Sequence, residues 1–220
     1  MTGAQRIDKI PFRRRSPGDY EQMYSGSPPW EINRPQRVFE ELAASGAFRG
    51  RVLDVGCGTG EHALLASKLA LEATGVDSSP AAIETATHKA RERGLRARFV
   101  VMDVLNLAKL GEEFDTVLDV GLFHTLDDKQ RETYTRQLRK VAATEARVFV
   151  LCFSDLQPGE NGPRRISEAE LRTTFRDWKA ERIVRTTMDS TEGIGAVEAL
   201  LGEFAPRAVS VRTRGQYPDS

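Results

Sequence analysis

The chain has 220 residues, 40% apolar and 29% charged, and a formal net charge of zero. That length supports one domain with a sizeable core, and neutrality offers no global attraction to nucleic acid or to an anionic membrane. No segment approaches the roughly 18 apolar residues that span a bilayer, and the N-terminus lacks an apolar signal-type core.

Cys57 and Cys152 have no further Cys or His at metal-ligand spacing. The expectation is a cytoplasmic, disulfide-free protein without a metal, a monomer or homodimer. At the N-terminus the basic run "FRRRSPGD" (12–19) reads as a solvated tail rather than a contact arm. "DYEQMYSGSPPWEINRPQ" sets Tyr20, Tyr24 and Trp30 among Gly26, Pro28, Pro29 and Pro35, so residues 1–36 read as an irregular arm and lid. From Pro35, "PQRVFEELAASGAF" predicts a helix with Val38, Phe39 and Leu42 inward, ending near Gly46.

A regular rhythm follows through residues 37–220, which read as one further unit. "RVLDV" is a strand stopping at Gly56, and "GEHALLASKLA" is helical. "ATGVD" is a second strand ending at Asp77. "SSPAAIETATHKARERG" is a helix with Ser79 as N-cap, Pro80 in the first turn and Gly94 past the end. "ARFVVMD" and "FDTVLDVG" are the third and fourth strands, ending at Asp103 and Gly121. "DKQRETYTRQLRKVA" is an amphipathic helix with Tyr134, Leu138 and Val141 inward. "ARVFVLCFS" is a continuous apolar run suited to a strand covered on both faces. Such alternation predicts a doubly wound, Rossmann-like α/β domain with a mainly parallel sheet.

Beyond the loop "DLQPGENGPRRI", "SEAELRTTF" opens with a capping box, Ser167 to Glu170. "KAERIVRTTM" and "RAVSVRTRG" read as a closing antiparallel strand pair, because "GIGAVEALLGEFAP" between them is too short for a full crossover helix.

"VLDVGCGTG" (52–60) sets Gly56, Gly58 and Gly60 at the C-terminal end of the first strand, where open α/β sheets bind ligands. The spacing is G-x-G-x-G, not the dinucleotide G-x-G-x-x-G. Asp54, two residues before the first glycine, would repel a pyrophosphate and attract an ammonium group. Asp77 can take ribose hydroxyls and Asp103 an exocyclic amine, since each ends a strand. Each has a plainer reading: Asp77 as a helix cap, Asp103 as a turn acid, Asp54 as the partner of an Arg or Lys, and the loop as a tight turn without a ligand.

Taken together, "VLDVGCGTG", "GVDSSPAAIETA", "VVMDVLNL" and "FDTVLDVGLFHTL", across residues 50–155, resemble successive motifs of the class I S-adenosylmethionine-dependent methyltransferases. The resemblance implies a seven-stranded sheet with its last strand antiparallel, and S-adenosylmethionine as cofactor. It implies that Gly56, Cys57, Gly58, Thr59 and Gly60 hold the methionine end. The ligand's carboxylate would meet the loop N–H groups, and its ammonium would lie near Asp54 and the Gly56 carbonyl. Asp77 and Ser78 would bind the ribose, Asp103 and the Val104 backbone the adenine, with Asp119 and Trp30 also on the cofactor side.

For the acceptor, "DVGLFHTLDD" lacks the N/D-P-P-Y/F pattern that amino-methylating DNA enzymes carry there, and offers Phe123 and His124. His124 suits a general base near neutral pH; its other reading is cofactor-side packing. His62 and His88 fall within predicted helices. The Tyr-rich arm with "PPWE" is similar to that of the thiopurine, halide and heterocyclic-toxin methyltransferase branch, which implies that Tyr20 and Tyr24 line the acceptor pocket. Arg164 and Arg165, in the opposite wall, read as solvated charges, or as steering an anionic acceptor.

The functional expectation is in-line methyl transfer to O, S or N of a small aromatic or heterocyclic molecule, with no nucleic-acid or membrane partner. A nicotinamide oxidoreductase fails on glycine spacing and on Asp54. A non-catalytic S-adenosylmethionine-binding regulator and a protein or RNA methyltransferase remain as alternatives.

Overall fold

The computed structural model describes residues 16–207 apart from 25, 27, 160, 161 and 192–195. Helix α1 (Pro17–Tyr24) lies inside the segment expected to be irregular, and α2 (Arg37–Ala44) follows it. The alternating core then runs β1 (Arg51–Val55), α3 (Glu61–Lys68), β2 (Glu72–Asp77), α4 (Pro80–Glu92), β3 (Ala97–Val101), β4 (Phe114–Val120), α5 (Asp128–Val141) and β5 (Ala142–Phe153). It closes with α6 (Glu168–Thr174), β6 (Trp178–Met188) and β7 (Val197–Pro206). Short 3-10 turns occupy Val104–Leu110 and Phe123–Thr125.

The seven strands form one sheet in the order β3-β2-β1-β4-β5-β7-β6. β1 to β5 are parallel, while β7 runs antiparallel to both β5 and β6. This is the seven-stranded, doubly wound sheet that the sequence implied, its chain reversing beside β1.

Alternation along β5 shows why that strand is apolar throughout. Val148, Val150 and Cys152 face the cluster under α5 and α6, and Phe149 and Leu151 face the cluster under α2 and α3. Each fully buried Leu or Phe of this kind contributes about 1.5–3 kcal/mol relative to exposure. β1 divides the same way, with Leu53 and Val55 on one face and Val52 on the other. Asp54 shares the face of Val52 and so points at the start of α3.

The antiparallel closing pair exists, but its second strand is not the one expected. β7 is "VEALLGEFAP", from the segment read as the short link between the two expected strands. Its Ala and Leu residues are buried on both sides between β5 and β6, so sheet pairing overrides helix propensity. "RAVSVRTRG" lies almost wholly outside the described residues, as does the first half of the basic run 12–19, with its three arginines. No helix among the described residues is long and apolar enough to cross a membrane.

Candidate active site

The glycine loop is held by its own backbone and by Asp77. Cys57 N–H donates to the Val76 carbonyl and Gly60 N–H to the Cys57 carbonyl, both at 2.9 Å. Gly58 N–H donates to Asp77 Oδ2 and Ser79 N–H to Asp77 Oδ1, also at 2.9 Å. Three of the N–H groups assigned to a ligand carboxylate are therefore turned into the loop. In the first turn of α3, whose N–H groups no helix satisfies internally, Ala63 N–H is taken by Asp54. The Cys57 thiol is likewise directed inward; a Cβ on Gly75 would meet its Sγ at 2.9 Å. Cys57 thus packs beneath the loop and offers a ligand no side chain.

Asp77 holds the loop and has capacity left over. A carboxylate has about four lone-pair sites, and the hydrogen bonds to Gly58 and Ser79 leave room for a ligand hydroxyl. Burial pushes its pKa upward against the pull of those N–H groups. The helix-capping role falls to Ser79, whose Oγ accepts from Ala82 N–H at 3.1 Å. Ser78 is half-buried beside it. Asp103 is exposed and caps the 3-10 turn that begins at Val104, its Oδ1 accepting from Leu105 N–H at 2.9 Å.

Asp54 is 1% exposed and makes no ion pair among the described residues. Its Oδ2 accepts from Ala63 N–H at 3.1 Å in the first turn of α3. Burial, with Asp77 and Asp119 nearby, pushes its pKa up to about 7. An unpaired buried carboxylate at this point fits a ligand ammonium, so the loop, Asp54 and Asp77 together suit a ribonucleoside that carries a free amino-acid end.

The raised pKa sets a stability prediction for cofactor-free protein. The folded form holds the Asp54 proton up to about pH 7 and the unfolded chain only to about 3.8. Stability is therefore lost as pH rises across that window, by up to about 1.4 kcal/mol per pH unit. Asp54→Asn removes the charge, and at pH 8 it should stabilise the protein by roughly 1–3 kcal/mol after the cost of burying an amide. That gain should vanish toward pH 4. Urea unfolding from pH 4 to 8 measures it, and a pH-independent difference would contradict a carboxyl held neutral by burial.

The N-terminal arm covers this loop. The Tyr24 hydroxyl stands where a Cβ on Gly58 would be, 2.6 Å from that position, and accepts from Trp30 Nε1–H at 3.1 Å. Tyr20 and Tyr24 each meet the Trp30 ring edge-on, with centroids 6.0 and 6.2 Å apart. Burial and the Asp77 charge push the Tyr24 phenol strongly upward. Tyr24 thus lies over the glycine loop, within range of the Asp77 charge.

Side chains with no local sequence signal fasten the arm. The Glu21 carboxylate accepts from the Ser79 hydroxyl and from Ala81 N–H. Glu31 pairs with Lys89 and accepts from the Thr59 hydroxyl, and Lys89 Nζ donates to Thr59 Oγ1 and Glu61 at 2.8 Å each. Arg93 adds a 2.7 Å ion pair to Glu61. The Pro29 carbonyl accepts from Ser190 and Thr191 after β6.

The side chains at the tip of β4 are more deeply buried than expected. Asp119 is fully buried; Oδ1 accepts from Leu122 and Phe123 N–H at 3.1 Å and Oδ2 from the Tyr134 hydroxyl at 2.7 Å. Its carboxylate shapes the turn and is spent there, not on a cofactor. Phe123 is also fully buried, packed on Phe175 at 5.8 Å beneath the Arg131 guanidinium, so it lines the core and not an acceptor pocket.

His124 is 4% exposed, and its Nδ1 accepts from Phe153 N–H at 3.0 Å. That bond assigns the proton to Nε2. Burial and the charges of Arg131 and Arg165 push the imidazole down to about 3. With Nδ1 occupied and protonation disfavoured, the ring presents Nε2–H as a donor, an arrangement that weighs against a general-base role. Of the other histidines, His62 Nε2 accepts from Gln36 N–H at 3.0 Å, and His88 pairs with Glu92 on the surface.

A family model described as a methyltransferase domain matches residues 52–145. The 2-heptyl-1-hydroxyquinolin-4(1H)-one methyltransferase of Mycobacteroides abscessus is 36% identical over 158 residues, 70% of each chain. A probable thiol methyltransferase of Arabidopsis thaliana is 24% identical over 159 residues, again 70% of each chain. A structure solved for the conversion of a disulfide bond into a thioacetal group during echinomycin biosynthesis superposes with a TM-score of 0.80 at 34% identity, covering 87% of this chain and 93% of the other. The chain belongs to the class I S-adenosylmethionine-dependent methyltransferases and is an enzyme that takes its methyl group from S-adenosylmethionine.

Proposed function

We propose that the enzyme methylates a small aromatic or heterocyclic molecule at oxygen, sulfur or nitrogen. The observation that carries this reading is the roof over the glycine loop. The α1 segment, Trp30 and Glu31 lie on it and are tied to Ser79, Thr59 and Lys89, so a site under that cover suits a compact acceptor better than a folded macromolecule. The hydroxyquinolone and thiol methyltransferases among its relatives support the same substrate class.

S-adenosylmethionine supplies an electrophilic methyl group on a sulfonium when bound. The chain's own contribution is positioning and exclusion of water. Asp77 with Ser78 orients the ribose, Asp103 with the Val104 backbone the adenine, and Asp54 the ammonium. The Thr59 backbone and the first turn of α3 receive the methionine end, and Tyr24 and Trp30 close over it.

S-adenosylhomocysteine release, followed across phenols, hydroxyquinolones, thiols and halides with bulk RNA as control, tests the reading. Turnover on at least one small aromatic is the expected result. Silence on all of them with cofactor binding intact would point to a non-catalytic binder, and turnover on RNA alone to a macromolecular substrate.

A further inference from the structure

The tips of β4 and β5 carry donors and cations, and the acids near them are spent. Gly121 follows β4 at φ +82°, and a Cβ there would sit 3.7 Å from His124 Cε1 and Nε2 and 3.8 Å from Met188 Cε. The bare backbone thus leaves the Nε2 edge open, and Nε2 has no hydrogen-bond partner among the described residues. Phe153 stands edge-on to the imidazole at 4.8 Å.

Arg165 is brought to the same Phe153 ring by the strand-like contact of Ser154 with Ile166, in which Ile166 N–H donates to the Phe153 carbonyl. Its guanidinium lies 5.7 Å from the Phe153 ring centroid. It donates to the carbonyls of Gln157, Pro158 and Pro163 and to no carboxylate among the described residues. Its neighbour Arg164 is neutralised by Asp128 and Glu170 beside α5 and α6.

The remaining charges around His124 are accounted for. Arg131, from α5, is 2% exposed, pairs with Glu170 and keeps Nη2 without a hydrogen-bond partner. Asp119, from β4, is bound by the 122–123 backbone and Tyr134. Asp155, after β5, pairs with Arg185 from β6.

Building on the small-molecule reading above, we infer that the acceptor is recognised as an anion, between His124 Nε2–H and the Arg165 guanidinium, and reaches the enzyme already deprotonated. The favoured class is acidic N-hydroxy heterocycles, thiols and electron-poor phenols. The acceptor's lone pair forms the bond to the methyl carbon as that carbon's bond to sulfur breaks, and the released pair stays on sulfur. One anion and one cation become two neutral products, so no proton is taken by the protein. His124 and Arg165 position the acceptor and stabilise its charge.

The probe is 4-nitrophenol, whose anion alone absorbs in the visible, titrated with pH on enzyme saturated with S-adenosylhomocysteine. The bound probe should ionise at least one pH unit lower than free probe, meaning the anion binds about tenfold or more tighter than the acid. Arg165→Gln should erase most of that shift with S-adenosylhomocysteine affinity unchanged, and His124→Gln, which keeps a donor, should lose less than His124→Phe. An unshifted or raised ionisation of the bound probe, or failure of the probe to bind, overturns the inference. So does a kcat/KM profile breaking at one fixed pH for thiophenols of graded acidity, in place of a break that follows each acceptor. A shifted probe without turnover on any small acceptor would sink the substrate reading and leave anion recognition standing.

Discussion

Asp77→Ala should weaken S-adenosylmethionine binding by about a hundred-fold or more, because a ribose diol donating to a carboxylate makes charge-assisted hydrogen bonds of about 1.5–3 kcal/mol each. The same substitution orphans Gly58 and Ser79 N–H, so part of any loss could come from a loosened loop. Asp77→Asn separates the two effects. It keeps an acceptor oxygen for one backbone donor while removing the charge, and it should still lose about ten-fold or more in affinity at near-normal melting temperature. Calorimetry on both folded variants decides it. Unchanged affinity in either would reduce Asp77 to a loop fastener and take the ribose assignment with it.

How much of this was legible in the sequence depended on how local the cause was. Ser79, Pro80 and Asp77 act within a few residues, and the structure places them as their spacing predicts, whereas Asp103 falls two residues past β3 and caps the next turn. The Ser167 cap is present, but its capping-box partner Glu170 turns its carboxylate to Arg131 and Arg164. No short-range pattern contains that choice. The same limit explains β7, since "VEALLGEFAP" becomes a strand only because β5 and β6 offer it two edges. At the site, Asp54 and Asp77 were readable as types at positions. The arm's fastening through Glu31, Thr59 and Lys89 joins residues up to 58 apart and left no signal beyond the acidic end of "PPWE". His124 was legible for its chemistry, but the bond that fixes its tautomer was not, because its partner, Phe153 N–H, is 29 residues away.

Asp119→Ala should cost roughly 3–5 kcal/mol of stability, since each buried donor left without a partner carries about 1–3 kcal/mol and three lose theirs, Leu122 N–H, Phe123 N–H and the Tyr134 hydroxyl. Relief of a carboxyl that burial pushes up to about 6 offsets part of the sum. At about 2–4 °C per kcal/mol for a chain of this size, the melting temperature should fall by roughly 10 °C. Asp119→Asn is the informative contrast. Its amide oxygen can still accept from the turn, and the Tyr134 hydroxyl can reverse to accept from the amide N–H, so stability should stay within about 1 kcal/mol of the parent. Cofactor affinity should stay within about two-fold in Asp119→Asn, whereas a carboxylate that touched the cofactor would lose about ten-fold or more on becoming an amide. Thermal melts and calorimetry on the pair distinguish the two roles. The Ala variant should also lower kcat/KM beyond its effect on stability, because the turn Asp119 holds is the one that presents His124 Nε2–H to the acceptor.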